Sequence, residues 1–284
     1  MGDSVTLLGT KGGPAIRMGG ALPTASLLRM GGQTIVVDCA VGVTRSLVDA
    51  GVTLTNIDAI YITHLHSDHV LELGPLLYTA WTGGLTRQIT VHGPEGIRTY
   101  WDGFLASMSY DHDIRIADEG RTPIGSLVRV ETFGEGPLVA PGGLTAAALR
   151  VDHPPVTECY ALRFEHGGRS VVFSSDTCYF PPLAAFARGA DLLIHEAMLS
   201  AGIDALVRRT ASADRLRAHL VASHTDAVDV GRIATAAGVG TLALHHLVPA
   251  DDPDFGEDDW RREVGRTWTG PLIVGRDGLQ VDIG

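Results

Sequence analysis

Strand-like runs mixed with helical segments in both halves of the chain predict an α/β fold, a sandwich of two mixed β-sheets flanked by helices. Three observations carry this. Short apolar runs rich in Val, Ile and Leu end at Gly or Asp. Segments with apolar residues at helical spacing fall between them. The second half then repeats the rhythm of the first. No linker or short-period repeat interrupts the pattern, so one domain over residues 1–284 is expected.

In chain order, 5–8 and 26–30 read as strands, Gly31-Gly32 as a turn and 34–37 as a strand running into Asp38. Residues 43–50 read as a helix stopped by Gly51. The strand 57–62 leads into a polar turn, and 69–80 carries Val70, Leu73, Leu76, Leu77 and Ala80 on one helical face. A strand at 89–92, a helix at 95–108 and strands at 127–132 and 144–151 come next, with a Gly/Pro-rich loop at 134–143. Further on, 160–164 and 170–173 form a hairpin about Gly167-Gly168. A short helix at 183–188, a buried strand at 191–195, a helix at 228–237 and strands at 241–244 and 272–274 complete the chain, the last being the final strand.

The composition is 45% hydrophobic and 19% charged, so a sizeable core is expected. No apolar window is long enough to span a membrane, and no basic-then-apolar leader opens the sequence. The net charge of −11 argues against a dedicated nucleic-acid binder, which needs clustered Lys and Arg. Cys39, Cys159 and Cys178 lack Cys-x-x-Cys spacing, which suggests a reducing, cytoplasmic setting and no disulfide framework.

The chemistry concentrates in Thr63-His64-Leu65-His66-Ser67-Asp68-His69. Side chains alternate along an extended segment, so His64 and His66 face one way and could grip one cation. Asp68 and His69 come where the chain turns and could grip a second. Imidazole and carboxylate without thiolate suit zinc, manganese or iron in an open catalytic site. Other candidates recur at strand ends: His153 as a third ligand, Asp176 as a carboxylate able to bridge two ions, and His245 or His246 as a last ligand. Glu196 could orient and charge His224, which would then donate a proton to a leaving group, although Ser223 and Thr225 also fit a helix-capping cluster. Asp38 reads equally as an acceptor for a ligand imidazole or as an ordinary turn residue. His92, His112, His166 and His219 read as surface or packing residues.

The 63–69 motif resembles the signature of the metallo-β-lactamase superfamily. Ser175-Asp176-Thr177, Leu193-Ile194-His195-Glu196-Ala197 and Ser223-His224-Thr225 are similar to the branch that holds ribonuclease Z and the arylsulfatase and phosphodiesterase enzymes. The resemblance runs from about Val5 to Val274 and implies an αββα sandwich with two zinc ions at one edge, Mn or Fe being alternatives. It implies that His64, His66 and His153 hold one ion, that Asp68, His69 and His246 hold the other, and that Asp176 bridges. His246 is preferred over His245 because a segment like Leu247-Val248-Pro249 comes directly after the family's ligand. Asp68 then counts as catalytic alongside His224 and Glu196. The family's Asp-x-Gly turn is here Asp38-Cys39-Ala40, a departure that weakens only the Asp38 assignment.

Together the motifs and the resemblance lead to an expected dinuclear hydrolase of small-molecule esters: aryl sulfate, phosphate or phosphodiester. A lactonase is the alternative, with Tyr179 beside the substrate carbonyl or simply packed in its turn. A tRNA 3′-processing nuclease is a further one, disfavoured because the 153–176 segment holds only a hairpin and no basic arm. A β-lactamase, a diiron redox protein and a non-catalytic scaffold fit the motifs less well. Trp81, Trp101, Phe104 and Tyr110 could wall a pocket or fill the core, and the acidic loop 251–260 could overhang the site, with Arg261 or Arg262 compensating its charge. The branch often forms dimers, which leaves a homodimer open.

Overall fold

The computed structural model describes residues 2–208 and 213–284. Its strands are β1 (Ser4–Gly9), β2 (Ala25–Met30), β3 (Gln33–Val37), β4 (Ala59–Tyr61), β5 (Ile89–Gly93), β6 (Val128–Thr132), β7 (Gly136–Leu138), β8 (Thr145–Arg150), β9 (Tyr160–His166), β10 (Arg169–Phe173), β11 (Leu192–Met198), β12 (Thr241–Val248), β13 (Leu272–Val274) and β14 (Leu279–Asp282). They form two seven-stranded sheets, in the orders β14-β1-β2-β3-β4-β5-β6 and β13-β12-β11-β10-β9-β8-β7. Each is mixed: β3 to β6 run parallel in the first, and β10 to β13 in the second.

The helices are α1 (Val43–Asp49), α2 (Ser67–Val70), α3 (Leu73–Thr82), α4 (Ile97–Ser107), α5 (Ser109–Glu119), α6 (Ile124–Leu127), α7 (Pro182–Phe186), α8 (Ser200–Arg208), α9 (Ala213–Ser223), α10 (Ala227–Ala237) and α11 (Glu257–Val264). Three apolar layers arise from period-two alternation in the strands. Val5, Leu7, Ile35, Tyr61, Phe164, Val171 and Ile194 meet between the sheets. Leu8, Val36, Ile60 and Val91 face outward onto α1, α3 and α4, while Val172, Leu193 and Leu242 face α7, α10 and α11. The result is the αββα sandwich that the residue pattern predicts. No helix among the described residues is long and apolar enough to cross a membrane.

Several elements depart from the sequence expectation. The helix read at 69–80 is broken between α2 and α3. Pro75 has no N–H to offer the Leu71 carbonyl, so a helix can only restart near it. Glu72 is pinned at the break: its N–H donates to Cys39 O (2.9 Å), and its carboxylate accepts from Gly42 N (2.5 Å) and Thr44 N (3.0 Å). The Gly/Pro-rich loop contains β7, an edge strand where Pro137 costs no ladder bond. Polarity hides helix α5 from the sequence pattern; Arg115 pairs with Asp111 (2.8 Å) and Glu119 (2.9 Å) at four-residue spacing. The strand 272–274 is not the last, because β14 pairs with β1 and extends the first sheet.

The expected acidic loop is partly helical. Glu257, Asp258 and Asp259 occupy the first turn of α11, where carboxylates suit the helix dipole, and Trp260 and Val264 bury its other face. Arg261 pairs with Glu257 (2.6 Å) and Arg262 with Asp259 (2.7 Å), so both cations are engaged within their own helix. Trp81 and Trp101 lie in the outer core and Phe104 packs against them, while Tyr110 is exposed; they fill and flank a core rather than wall a pocket.

Candidate metal centre

The C-terminal ends of parallel strands gather along one side of the sandwich, and the polar candidates sit at or just beyond those ends. Asp38 follows β3, His64 follows β4 and Asp176 follows β10, while Glu196 and His246 lie in the last three residues of β11 and β12. His153 follows β8, which runs in the same direction as β10 because both pair antiparallel with β9. Asp38, Ser175 and His246 are the non-glycine residues with positive φ among those described (61°, 57° and 42°), and all three sit on this side. Such backbone strain persists where the surroundings over-determine it.

The structure brings all seven sequence candidates together. The ligand atoms of His64, His66, His153 and Asp176 lie within 4.8 Å of one another, as do those of Asp68, His69 and His246. Asp176 Oδ2 is 3.8 Å from His64 Nε2, 3.8 Å from His153 Nε2, 3.4 Å from His69 Nε2 and 3.1 Å from His246 Nε2, so it faces both sets. His153 Nδ1 donates to Ser223 O (2.9 Å), which leaves Nε2 with its lone pair toward the cluster, 3.2 Å from His66 Nδ1. His69 Nδ1 donates to Asp38 Oδ2 (2.8 Å), which frees its Nε2 in the same way. Asp38 also accepts from Thr63 N (2.8 Å) and Thr63 Oγ1 (2.9 Å). Of the two readings open from sequence, Asp38 takes that of an acceptor for a cluster imidazole. Asp68 Oδ2 is 3.4 Å from His246 Nε2 and accepts from Gly13 N (2.8 Å).

A bulge separates His245 from His246. Along β11 and β12, Glu196 pairs with His245 but Ala197 pairs with Leu247, so His246 is the extra residue and is re-aimed. His245 Nε2 instead donates to Gly9 O (2.8 Å).

The residues present fit divalent cations. His64 Nε2, His69 Nε2, His246 Nε2 and Asp176 Oδ1 are buried without a hydrogen-bond partner. Buried lone pairs facing one another are costly unless a cation satisfies them. The electrostatics agree. Burial would raise the Asp176 carboxyl, but His246 and His69 drive it well below the usual range. Burial would lower His246, but Asp176 and Asp68 raise it to about 10. Burial pushes His64, His66 and His153 down, so those rings stay neutral, as metal ligation requires.

Glu196 and His224 stand beside this cluster. Glu196 Oε1 accepts from Thr177 N (3.1 Å) and Thr225 N (3.0 Å), and Oε2 lies 3.3 Å from His224 Nδ1. The His224 ring stacks on His246 (5.2 Å) and reaches His153 (5.3 Å). The capping alternative for this segment falls elsewhere: Asp226 caps α10 by accepting from Val228 N (3.0 Å), and Thr225 Oγ1 donates to Thr177 O (2.7 Å). His219 packs beside the Glu196–His224 pair. In keeping with its reading as a surface or packing residue, its partly exposed ring lies 6.2 Å from His224 and 6.4 Å from His153. Only the extent of α9 could reveal this, since His219 shares that helix with Ser223. Tyr179 is 44% exposed rather than packed in its turn.

A histidine–aspartate cluster at the strand ends of an αββα sandwich defines a metal-dependent hydrolase of the metallo-β-lactamase fold, and comparison with known proteins agrees. A structure of the metallo-β-lactamase fold protein YhfI from Bacillus subtilis aligns at TM-score 0.72 with 27% identity, covering 99% of this chain and 100% of that one. Human tRNase Z, short form, aligns at TM-score 0.70 with 20% identity over 99% of this chain and 99% of that one, a likeness of fold. Ribonuclease Z of Mycolicibacterium gilvum is 34% identical over 98% of this chain and 96% of its own length. The family model described as Anti-Pycsar protein Apyc1 matches residues 4–217. The chain belongs to that family, within the ribonuclease Z branch of the metallo-β-lactamase superfamily.

Proposed function

We propose that the chain is a dinuclear zinc hydrolase that cleaves a small-molecule phosphodiester, phosphate or aryl sulfate ester. His64, His66 and His153 would hold one ion, Asp68, His69 and His246 the other, with Asp176 between them. Divalent ions held by these residues would supply Lewis acidity and lower the pKa of a water toward neutral. The observation that carries the reading is the Glu196–His224 pair beside both ligand sets (3.3 Å). Two backbone N–H groups fix Glu196, so it can hold the His224 ring in one orientation and balance its charge while the ring is protonated. His224 then gives its proton to the departing oxygen, which matters most when that oxygen leaves as a basic alkoxide. The test is a substrate panel on metal-loaded enzyme: aryl sulfates, bis-aryl phosphates, phosphonates, lactones and thioesters. Turnover of phosphorus or sulfate esters well above the others is expected; turnover of lactones alone would overturn the reading.

A second reading is tRNA processing, favoured by the name ribonuclease Z on relatives at 31–34% identity. Those relatives are matched over 96–98% of their own length, so the lack of an inserted arm here does not separate the two readings. The net charge of −11 still disfavours a polyanionic substrate. Cleavage of pre-tRNA at rates matching those on small esters would establish this second reading.

A further inference from the structure

Lys11 is a lysine buried along most of its length, with no part in the chemistry proposed for the metal ligands, Glu196 and His224. It is only 4% exposed, which is rare for lysine unless it is paired. Among the described residues no hydrogen bond or salt bridge reaches its ammonium. Its backbone is fixed against the metal centre. Leu247 N donates to Thr10 O (2.8 Å), Gly12 N to Leu247 O (3.0 Å), and Gly13 N to the cluster carboxylate of Asp68 (2.8 Å). Gly12 explains how the loop comes so close: a Cβ there would lie 2.8 Å from the His246 ring. Burial and Arg17 depress the ammonium's pKa, while Asp251 and Asp68 hold it up, so both carboxylates lie in its field. Asp251 Oδ1 is engaged by Ala21 N (2.9 Å), and its Oδ2 is buried without a partner. An ammonium with no direct counter-ion, on a buried lysine whose loop is tied to Asp68, is arranged to receive an anion at the edge of the cluster.

We propose that Lys11 binds the anionic oxygen of the substrate's phosphoryl or sulfuryl group. The proposal rests on the hydrolase reading. It gives an acidic protein a local means of holding an anionic ester, a role that Arg261 and Arg262 do not fill.

The test compares wild type, Lys11→Met and Lys11→Arg, all metal-loaded and checked for metal content and Tm. The substrates are anionic bis(p-nitrophenyl) phosphate and neutral diethyl p-nitrophenyl phosphate, which share a leaving group. Lys11→Met should lower kcat/KM for the anionic ester at least about tenfold more than for the neutral one, mainly through KM, and weaken inhibition by inorganic phosphate about tenfold. Lys11→Arg should recover most of both. Equal losses on the two esters together with a lowered Tm would mean that Lys11 is a structural partner of Asp251, and an unchanged ratio would also overturn the proposal. If the wild type turns over lactones but no phosphorus ester, the hydrolase reading fails. Phosphate inhibition of that lactone turnover still decides Lys11: weakening in Lys11→Met supports it, and an unchanged constant overturns it.

Discussion

His245 and His246 are neighbours in sequence with separate partners: His245 Nε2 bonds the Gly9 carbonyl at 2.8 Å, whereas His246 Nε2 lies 3.1 Å from Asp176 Oδ2. The bulge in β12 is what divides them. His246→Ala should therefore abolish tight binding of one of the two proposed metal equivalents. His245→Ala should keep both and instead lose about 1–3 kcal/mol of stability, because the buried Gly9 carbonyl is left without a donor. Metal content and urea unfolding of the two variants check this.

Asp38 is tied to both Thr63 and His69, so its carboxylate sets the orientation of a cluster imidazole. Asp38→Asn keeps a residue tolerant of positive φ but removes the charge. A loss of about 10–100-fold in metal affinity is expected, as for other carboxylates that orient ligand histidines. Competition against a chelator of known affinity measures it, and an unchanged affinity would return Asp38 to the role of a turn residue.

His224→Ala should retain the full metal complement, which separates an acid role from a ligand role. On esters with alkoxide leaving groups, kcat should fall by about 10²–10⁴. Nitrophenyl esters, whose leaving group needs little protonation, should lose far less. Glu196→Gln should show the same pattern in milder form. Equal losses on both ester classes would sink the proton-donor assignment.

Much of this site is legible in the sequence because the 63–69 motif is contiguous and the other candidates sit at the ends of apolar strands. His153 and Asp176 can be picked out by that placement alone, as can the pair His245-His246, between which only the family resemblance chooses. The layers are legible for the same reason: runs such as Ser170 to Phe173 are apolar on both faces. What the sequence hides depends on tertiary contact. Glu72 is pinned at the break before Pro75 by two backbone N–H groups far from it in sequence. Residues 109–119 form a helix held by ion pairs rather than by a wide apolar stripe. His219 and Lys11 gain significance only from what packs against them, and neither lies in a motif.

Stability should respond to pH in opposite senses with and without metal. His246, raised to about 10 in the folded metal-free protein, binds a proton that the unfolded chain releases near 6.5. Its contribution is therefore full below about pH 6.5 and lost as pH rises through about 10. Metal binding needs that ring deprotonated, so stabilisation by metal grows over the same window. On the acid side His245, pushed down to about 3, and His92, to about 4, stay neutral in the fold while the unfolded chain charges, so stability falls as pH drops below about 6.5. Tm of chelated and zinc-loaded protein should diverge from about pH 6.5 upward; parallel curves would contradict this.

Hydrolysis is proposed to depend on two divalent ions held by this one cluster. Elemental analysis of the purified protein, repeated after chelation and after refilling with zinc and read beside ester turnover, decides the matter. Two equivalents per chain, loss of turnover with loss of metal, and recovery on refilling are expected. Full turnover by protein stripped of metal would refute the dependence.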